Sequence, residues 1–239
     1  MDKFFDVALI PQFLATLIKY LPTTLYILVV SLLLGSVLGV LIALPRIYNI
    51  PVLKQLAIVY TSFFRGTPII VQLFIVFYGI PILTALVNVD TTRMDPLYAA
   101  IITYGLSSAA SIAEIIRSAI NSVPKSQTEA ALSIGLTQRQ NFFRIVFPQA
   151  LKQATPNFWN LIIGFLKDTS LAFSIGVMDM SGRGETLITS SNHSLEVYVS
   201  LAIIYYLVAL VLEATFKQIE LRLKRDKANT RTIFEMIRQ

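Results

Sequence analysis

Hydrophobic residues dominate five stretches of this 239-residue chain, and polar residues gather between them. The first stretch, Leu21 to Leu44, carries no charge between Lys19 and Arg46. It exceeds the ~20 residues that cross ~30 Å of hydrocarbon. Gly35 and Gly39 within it have the spacing of a small-residue face for close helix packing, or are simply two of the glycines common in membrane helices. Ahead of it, Phe4 to Leu17 is apolar but short and reads as an interfacial segment. The second stretch lies within Gln55 to Val89, where Arg65 is the only charge. As one helix it would be about 52 Å long at ~1.5 Å per residue. It therefore either projects beyond the membrane or breaks at Arg65-Gly66-Thr67-Pro68. The third runs from Leu97 to Ile120, with Glu114 and Arg117 near its end. The fourth runs from Ala154 to Val177 around Lys167 and Asp168, and the fifth from Val197 to Phe216 with Glu213 in its last part. The pattern predicts an all-α membrane protein of five transmembrane helices, one domain over residues 1–239 with its core at about 20–220.

The longest polar-rich segment, residues 126–148, separates the third and fourth stretches and predicts two short capped helices joined by a glycine. Ser126 and Glu129 have the S-x-x-E spacing of a capping box, just after Pro124. Ala130, Ala131 and Ile134 form a narrow apolar stripe, and Gly135 suits the left-handed residue that ends such a helix. Thr137 and Gln140 make a second box, T-x-x-Q. Pro148 is expected to interrupt that helix or restart the chain at a new angle.

Composition supports a polytopic membrane protein: 55% of residues are hydrophobic and 14% charged, with mean hydropathy +0.67, against ~25% charged in soluble domains. There is no cysteine, hence no disulfide or thiolate metal site. No basic, cleavable leader pattern is visible at the start, so no removable signal peptide is expected. A pI of about 9.5 raises the question of nucleic acid, but the basic residues sort by side of the membrane. With the 126–148 loop inside, fourteen of the 20 Lys and Arg fall on inner segments and four on outer ones. That places the N-terminus outside and the C-terminus in the cytoplasm. The basic tail, 217–239, reads as an anchor at inner-leaflet lipid.

Charges within the spans are the candidate chemistry. Arg65 lies near mid-membrane depth, where a charge is costly unless it faces a cavity, a partner or a ligand. Gly66 and Pro68 loosen the backbone beside it, a break tolerated where it lines a cavity. Lys167-Asp168-Thr169-Ser170 occupies a corresponding depth. The simpler alternative is a buried Arg65–Asp168 or Lys167–Asp168 pair that only holds helices in register. Glu114 and Arg117, at i, i+3, suit structural pairing at the cytoplasmic mouth. Glu213 reads as a helix-face anchor. His193 lies in an outer loop with Asp179, Arg183 and Glu185; a single His makes a poor metal site, and the loop is a candidate contact for an extracellular protein.

Two sets of residues resemble one family. Glu129-Ala130-Ala131, Gly135, Ile145 and Phe147-Pro148 resemble the EAA loop of ABC importer permeases, with Phe147 in place of the usual Leu. Phe64-Arg65-Gly66-Thr67-Pro68 with Gln72 and Phe74, Lys167-Asp168-Thr169-Ser170-Leu171, and Glu114-x-x-Arg117 are similar to signatures of its polar amino-acid branch, although Ser126-Gln127 replaces the usual Gly-Gln. The resemblance implies a cytoplasmic loop that docks on a separate ATPase, with Glu129, Ala130, Ala131, Gly135, Ile145 and Pro148 as its coupling residues. It also implies an amino-acid substrate, with Arg65, Thr67 and Gln72 toward the α-carboxylate and Asp168, Thr169, Ser170 and Ser111 toward the ammonium or side chain. Cystine, glutamine, arginine and histidine all fit. The partners implied are the ATPase, an extracellular or periplasmic binding protein, and a second permease chain, identical or homologous, in a bacterial cytoplasmic membrane.

The chain has no P-loop motif, so ATP would be bound by the partner, with no cofactor here. No G-x-S-x-G, H-E-x-x-H or paired catalytic carboxylates appear either, which predicts a non-enzymatic subunit with no catalytic or metal site and no nucleic-acid partner. An ion-coupled secondary transporter and a non-transporting membrane docking protein are the alternatives; the first would be expected to carry inverted repeats of broken helices.

Overall fold

The computed structural model describes residues 5–237, with side chains described as far as Leu221. No strand occurs among the described residues. Three helices are long and apolar enough to cross a membrane, and two bent helix pairs bring the set to as many as five.

The chain enters through α1 (Ile10–Leu17) and a short 3-10 turn into α2 (Leu21–Ile47), together part of one apolar run, Val7–Ile47. The first segment, read from the sequence as interfacial, has one face packed on the bundle. Phe13 and Leu17 are buried against Met180, Val197 and Leu201. The second stretch breaks where Arg65-Gly66-Thr67-Pro68 predicts it: α3 (Pro51–Gly66) and α4 (Ile69–Ala85) meet at 112°. Thr67 is extended, as a residue before proline prefers, and Pro68 has no N–H to continue the helix.

Helix α5 (Pro96–Asn121) is the centre of the bundle and packs along α2. Asp95 caps it by accepting from the Leu97 N–H. The Gly35/Gly39 face is used for close approach: a Cβ at Gly35 would stand 1.9 Å from Ser108 Oγ, and one at Gly39 2.8 Å from Ile112. The Ser31 hydroxyl donates to the Ile101 carbonyl and the Ser108 hydroxyl to the Ser31 carbonyl, each at 3.3 Å. Between α4 and α5, the exposed Asp90 accepts from the Thr92 N–H and hydroxyl, which hold its carboxyl below the usual range.

After the connecting helices α6 (Lys125–Ser133) and α7 (Gln138–Asn141), the chain passes through a π-helical turn, Phe142–Val146, into α8 (Phe147–Asp168) and a 3-10 segment, Thr169–Ile175. Pro148 neither stops nor redirects it. The wide turn has the Phe147 N–H bonded to the Phe142 carbonyl, and Pro148 follows it as an early residue of α8. Gly176, at φ +92°, ends this column.

The segment expected as an outer loop contains a helix, α9 (Met180–Ser191). Asp179 is fully buried, caps α9 at the Gly182 N–H, and accepts from the Thr24 hydroxyl of α2 at 3.2 Å. Gly182 and Gly184 permit this packing, since a Cβ would lie 2.3 Å from the Val177 carbonyl and 2.8 Å from Leu201. The last helix, α10 (Ser194–Ile237), carries the fifth apolar stretch and continues into the basic tail. Of the tail expected as an anchor, 217–239, the side chains from Arg222 onward lie outside the described residues.

Candidate functional site

The break between α3 and α4 is held open from within. Gln72 is 2% exposed, and its amide nitrogen donates to the Phe64 carbonyl (2.8 Å), the Thr67 carbonyl (3.0 Å) and Thr67 Oγ1 (2.9 Å). The Phe64 carbonyl belongs to the last turn of α3, where the break leaves carbonyls without a helical partner. Thr67 in turn donates to the Phe63 carbonyl. Gln72 and Thr67 are thus already bonded to the backbone and to each other, while Gln72 Oε1 is buried without a partner. Arg65, at the end of α3, is exposed and has no ion-pair partner among the described residues.

At the end of α8, Asp168 is half-buried. Its backbone carbonyl accepts from the Tyr104 hydroxyl at 2.8 Å, and its carboxylate makes no ion pair among the described residues. The register-fixing pairs weighed above, Arg65–Asp168 and Lys167–Asp168, are therefore not formed. Thr169, buried, donates to the Leu166 carbonyl, and Ser170 to the Lys167 carbonyl. Ser111 is half-buried on α5. Lys167 and Ser170 line a groove of about 470 Å³ with Tyr205, Tyr206 and Glu213 of α10. Glu213 enters this groove although the sequence suggested only an anchor. Asp168 and Thr169 are not part of its wall.

Glu114 is the centre of a larger ion cluster than expected. Its carboxylate is shared between Arg117 on α5 and Arg46 of α2, the latter at 2.7 Å. Arg46 also donates to the Thr61 hydroxyl of α3 at 3.1 Å. Three helices are tied together at the end that carries the connecting loop. Arg46 was legible only as a topological charge, because its partner is far away in sequence.

The connecting loop has one of its two expected capping boxes. Thr137 and Gln140 cap α7 reciprocally. Ser126 and Glu129 do not cap α6, because Pro124 is the N-cap and Ser126 falls inside the first turn. Gly135 is left-handed at φ +86°, as predicted. The apolar stripe is divided: Ala131 is buried, whereas Ala130 is exposed and Ile134 is 79% exposed. Glu129, Gly135 and Pro148 are also exposed, and Ile145 is half-buried. Two pairs the sequence did not announce hold the loop: Asn141 donates to the Thr128 hydroxyl and joins α7 to α6, and Gln149 donates to the Gln127 side chain and ties α6 to α8. At the opposite end His193 Nδ1 lies 3.2 Å from Glu196, which also accepts from the Asp6 N–H.

Residues 35–225 match the model of the family described as binding-protein-dependent transport system inner membrane component. The L-cystine transport system permease protein TcyL of Bacillus subtilis is 64% identical over 236 residues, 99% of each chain. The glutamine transport system permease protein GlnP of Escherichia coli is 33% identical over 220 residues, 92% of this chain and 98% of the relative. A crystal structure of an amino acid ABC transporter with histidines superposes with TM-score 0.81 at 27% identity, covering 91% of this chain and 98% of that one. The chain therefore belongs to the binding-protein-dependent transport system inner membrane component family, as a multi-pass amino-acid ABC importer permease, a transport component and not an enzyme.

Proposed function

We propose that this chain forms the membrane path of an ATP-driven importer for L-cystine or a close relative. It would sit in a bacterial cytoplasmic membrane with its N-terminus outside and its C-terminus inside. The observation that carries the substrate is the 64% identity, across 99% of both chains, to a cystine permease; the glutamine permease stands at 33%. Two permease chains, identical or homologous, enclose the path around a shared axis, and an external binding protein delivers the substrate. The EAA-like loop, through Glu129, Ala130, Ala131, Gly135, Ile145 and Pro148, docks on a separate ATPase subunit that binds the ATP. Most of the residues that resemble the docking motif are exposed, which supports this reading.

Coupling follows from the helical column that begins in the loop. Helices α7 and α8, with the π turn between them, run without interruption from Gln138 to Asp168. At ~1.5 Å per residue that is about 46 Å. Displacement of the loop when the ATPases close moves Lys167 to Ser170 at the column's far end, exchanging inward for outward access. In the substrate path Arg65 faces a carboxylate of the amino acid, and Asp168, with Thr169, Ser170 and Ser111, faces an ammonium. Gln72 and Thr67 contribute by holding the break that presents Arg65.

The test is substrate-stimulated ATP hydrolysis in proteoliposomes containing this chain, its ATPase and its binding protein, with Glu129→Arg as control. Stimulation by cystine, lost in the control, is expected. A response to glutamine, arginine or histidine alone would replace the substrate, and no response to any amino acid would discard the amino-acid reading.

A further inference from the structure

Two cavities meet where α2, α5 and the π turn converge. One, of about 400 Å³, is walled almost wholly by apolar side chains at the loop-side ends of α2, α5 and α8, including Leu44, Ile116 and Leu151. The other, of about 540 Å³, lies against the connecting helices and contains Lys125, Arg139 and Asn141. Tyr48, Ile120 and Phe142 line both, so the two adjoin. Together they make an amphiphilic trough, greasy at span depth and basic where the spans end.

The polar half has unused bonding capacity. Lys125 and Arg139 are exposed and form no ion pair among the described residues. The Arg139 guanidinium lies 6.0 Å from the Phe143 ring centre, which leaves its N–H fork open to an anion. Asn141 is 3% exposed; its amide nitrogen donates to Thr128, but its oxygen is buried without a partner. Asn141 lines the polar cavity, so this acceptor has capacity for a donor supplied from it.

We infer that this trough binds one anionic, hydroxyl-bearing phospholipid of the phosphatidylglycerol class, with an acyl chain in the apolar cavity, the phosphate at Lys125 and Arg139, and a headgroup hydroxyl donating to Asn141. Basic pockets between membrane helices favour anionic headgroups. The lining of the apolar cavity offers no polar partner that would favour water over an acyl chain. The trough also abuts the π turn, so the lipid stiffens the joint between the connecting loop and α8.

The test uses the full chain purified with its accompanying subunits, delipidated, reloaded from mixed micelles of phosphatidylglycerol or phosphatidylcholine, and read by native mass spectrometry. One phosphatidylglycerol per permease chain is expected to resist exchange, with phosphatidylcholine at least tenfold weaker. Lys125→Glu with Arg139→Glu should abolish the preference, with Arg139→Gln giving a smaller loss should the double variant not assemble. Leu151→Trp, at a half-exposed position in the apolar wall, should displace the lipid while leaving the basic residues in place. Equal retention of the two lipids by the wild type, unchanged retention in the charge variants, or retention in Leu151→Trp would each overturn the site. So would lipid binding that appears only after the accompanying subunits are removed, since the face would then belong to them.

Discussion

Glu114 and Arg65 both stand on helices of the membrane bundle, and their surroundings are opposite. Glu114 is gripped by two arginines from two helices, one of which reaches on to Thr61 of a third. Arg65 is exposed at a helix break, and Asp168, its expected counterpart, is half-buried without an ion pair among the described residues. A charge inside a membrane protein is tolerated when it is paired or faces water or a ligand. The paired charge has a structural reason to be where it is. The unpaired charges lack one, which makes them the better functional candidates. The sequence already set the two apart, through the i, i+3 spacing of Glu114 and Arg117, but gave no sign of Arg46 as the third member.

Glu114→Ala carries the largest expected effect on stability. It leaves Arg46 and Arg117 without their shared carboxylate and removes the tie between α2 and α5. The loss should be on the order of 2–3 kcal/mol, less than for a fully buried pair because Glu114 retains some exposure. Thermal unfolding of the detergent-solubilised protein measures it, with Asp168→Ala, expected to fall within ~0.5 kcal/mol of wild type, as the matched control. If both variants melt alike, the division into structural and functional charges is wrong.

Next comes the helix contact that brings Arg46 and Glu114 together. Gly35→Leu places a side chain into Ser108 and the Gly105 carbonyl, with overpacking expected to cost ~1–3 kcal/mol. Gly79 has nothing within 4 Å of a built Cβ, and Gly79→Ala should be neutral or gain ~0.5–1 kcal/mol through helix propensity. The same melting measurement reads both, and a Gly35→Leu protein as stable as wild type would remove the close approach from the account.

What was legible follows the range of the interactions. The apolar stretches, the break at Arg65 to Pro68, the Thr137–Gln140 box and the left-handed Gly135 are local features, and each is written in a few adjacent residues. The Gly35/Gly39 face was visible but ambiguous until α5 was seen against it. Arg46–Glu114 and Thr24–Asp179 join residues far apart in the chain, and no local pattern marks them. Asp179 is instructive: in a segment with Arg183, Glu185 and His193 it read as one more loop charge, yet it is the buried cap of α9. The Ser126–Glu129 box failed for a local reason as well, since Pro124 supplies the extended residue that starts α6 and shifts Ser126 into the first turn. For the candidate site, the break beside Arg65 was legible; Gln72's use inside it and Glu213's place in the groove were not.

The two capping motifs permit a smaller test within the connecting loop. Thr137→Ala removes one half of a formed box and should cost about 1 kcal/mol of local stability, whereas Ser126→Ala removes no cap and should cost close to nothing. Hydrogen exchange of the α7 and α6 amides separates them. Faster exchange in α6 on Ser126→Ala would show that the proline cap is not sufficient.

Arg65→Ala also has a small expected effect on stability and puts the comparison to its hardest test. The side chain is exposed and breaks no ion pair among the described residues, so the melting temperature should move by no more than ~0.5 kcal/mol of stability corresponds to. Uptake should behave differently. Losing one charge-assisted hydrogen bond to a substrate carboxylate, about 1.5–3 kcal/mol, corresponds to roughly 10- to 100-fold weaker handling of the amino acid. Arg65→Lys keeps the charge but not the planar fork, and should fall between the two. A stable protein with abolished uptake is what an unpaired charge reserved for a ligand predicts. A destabilised protein would mean that Arg65 has a structural partner in the assembled transporter, such as the second permease chain. A stable protein with normal uptake would leave Arg65 without a role and move the carboxylate contact elsewhere, with Lys167 of the groove between α8 and α10 as the next cation to test.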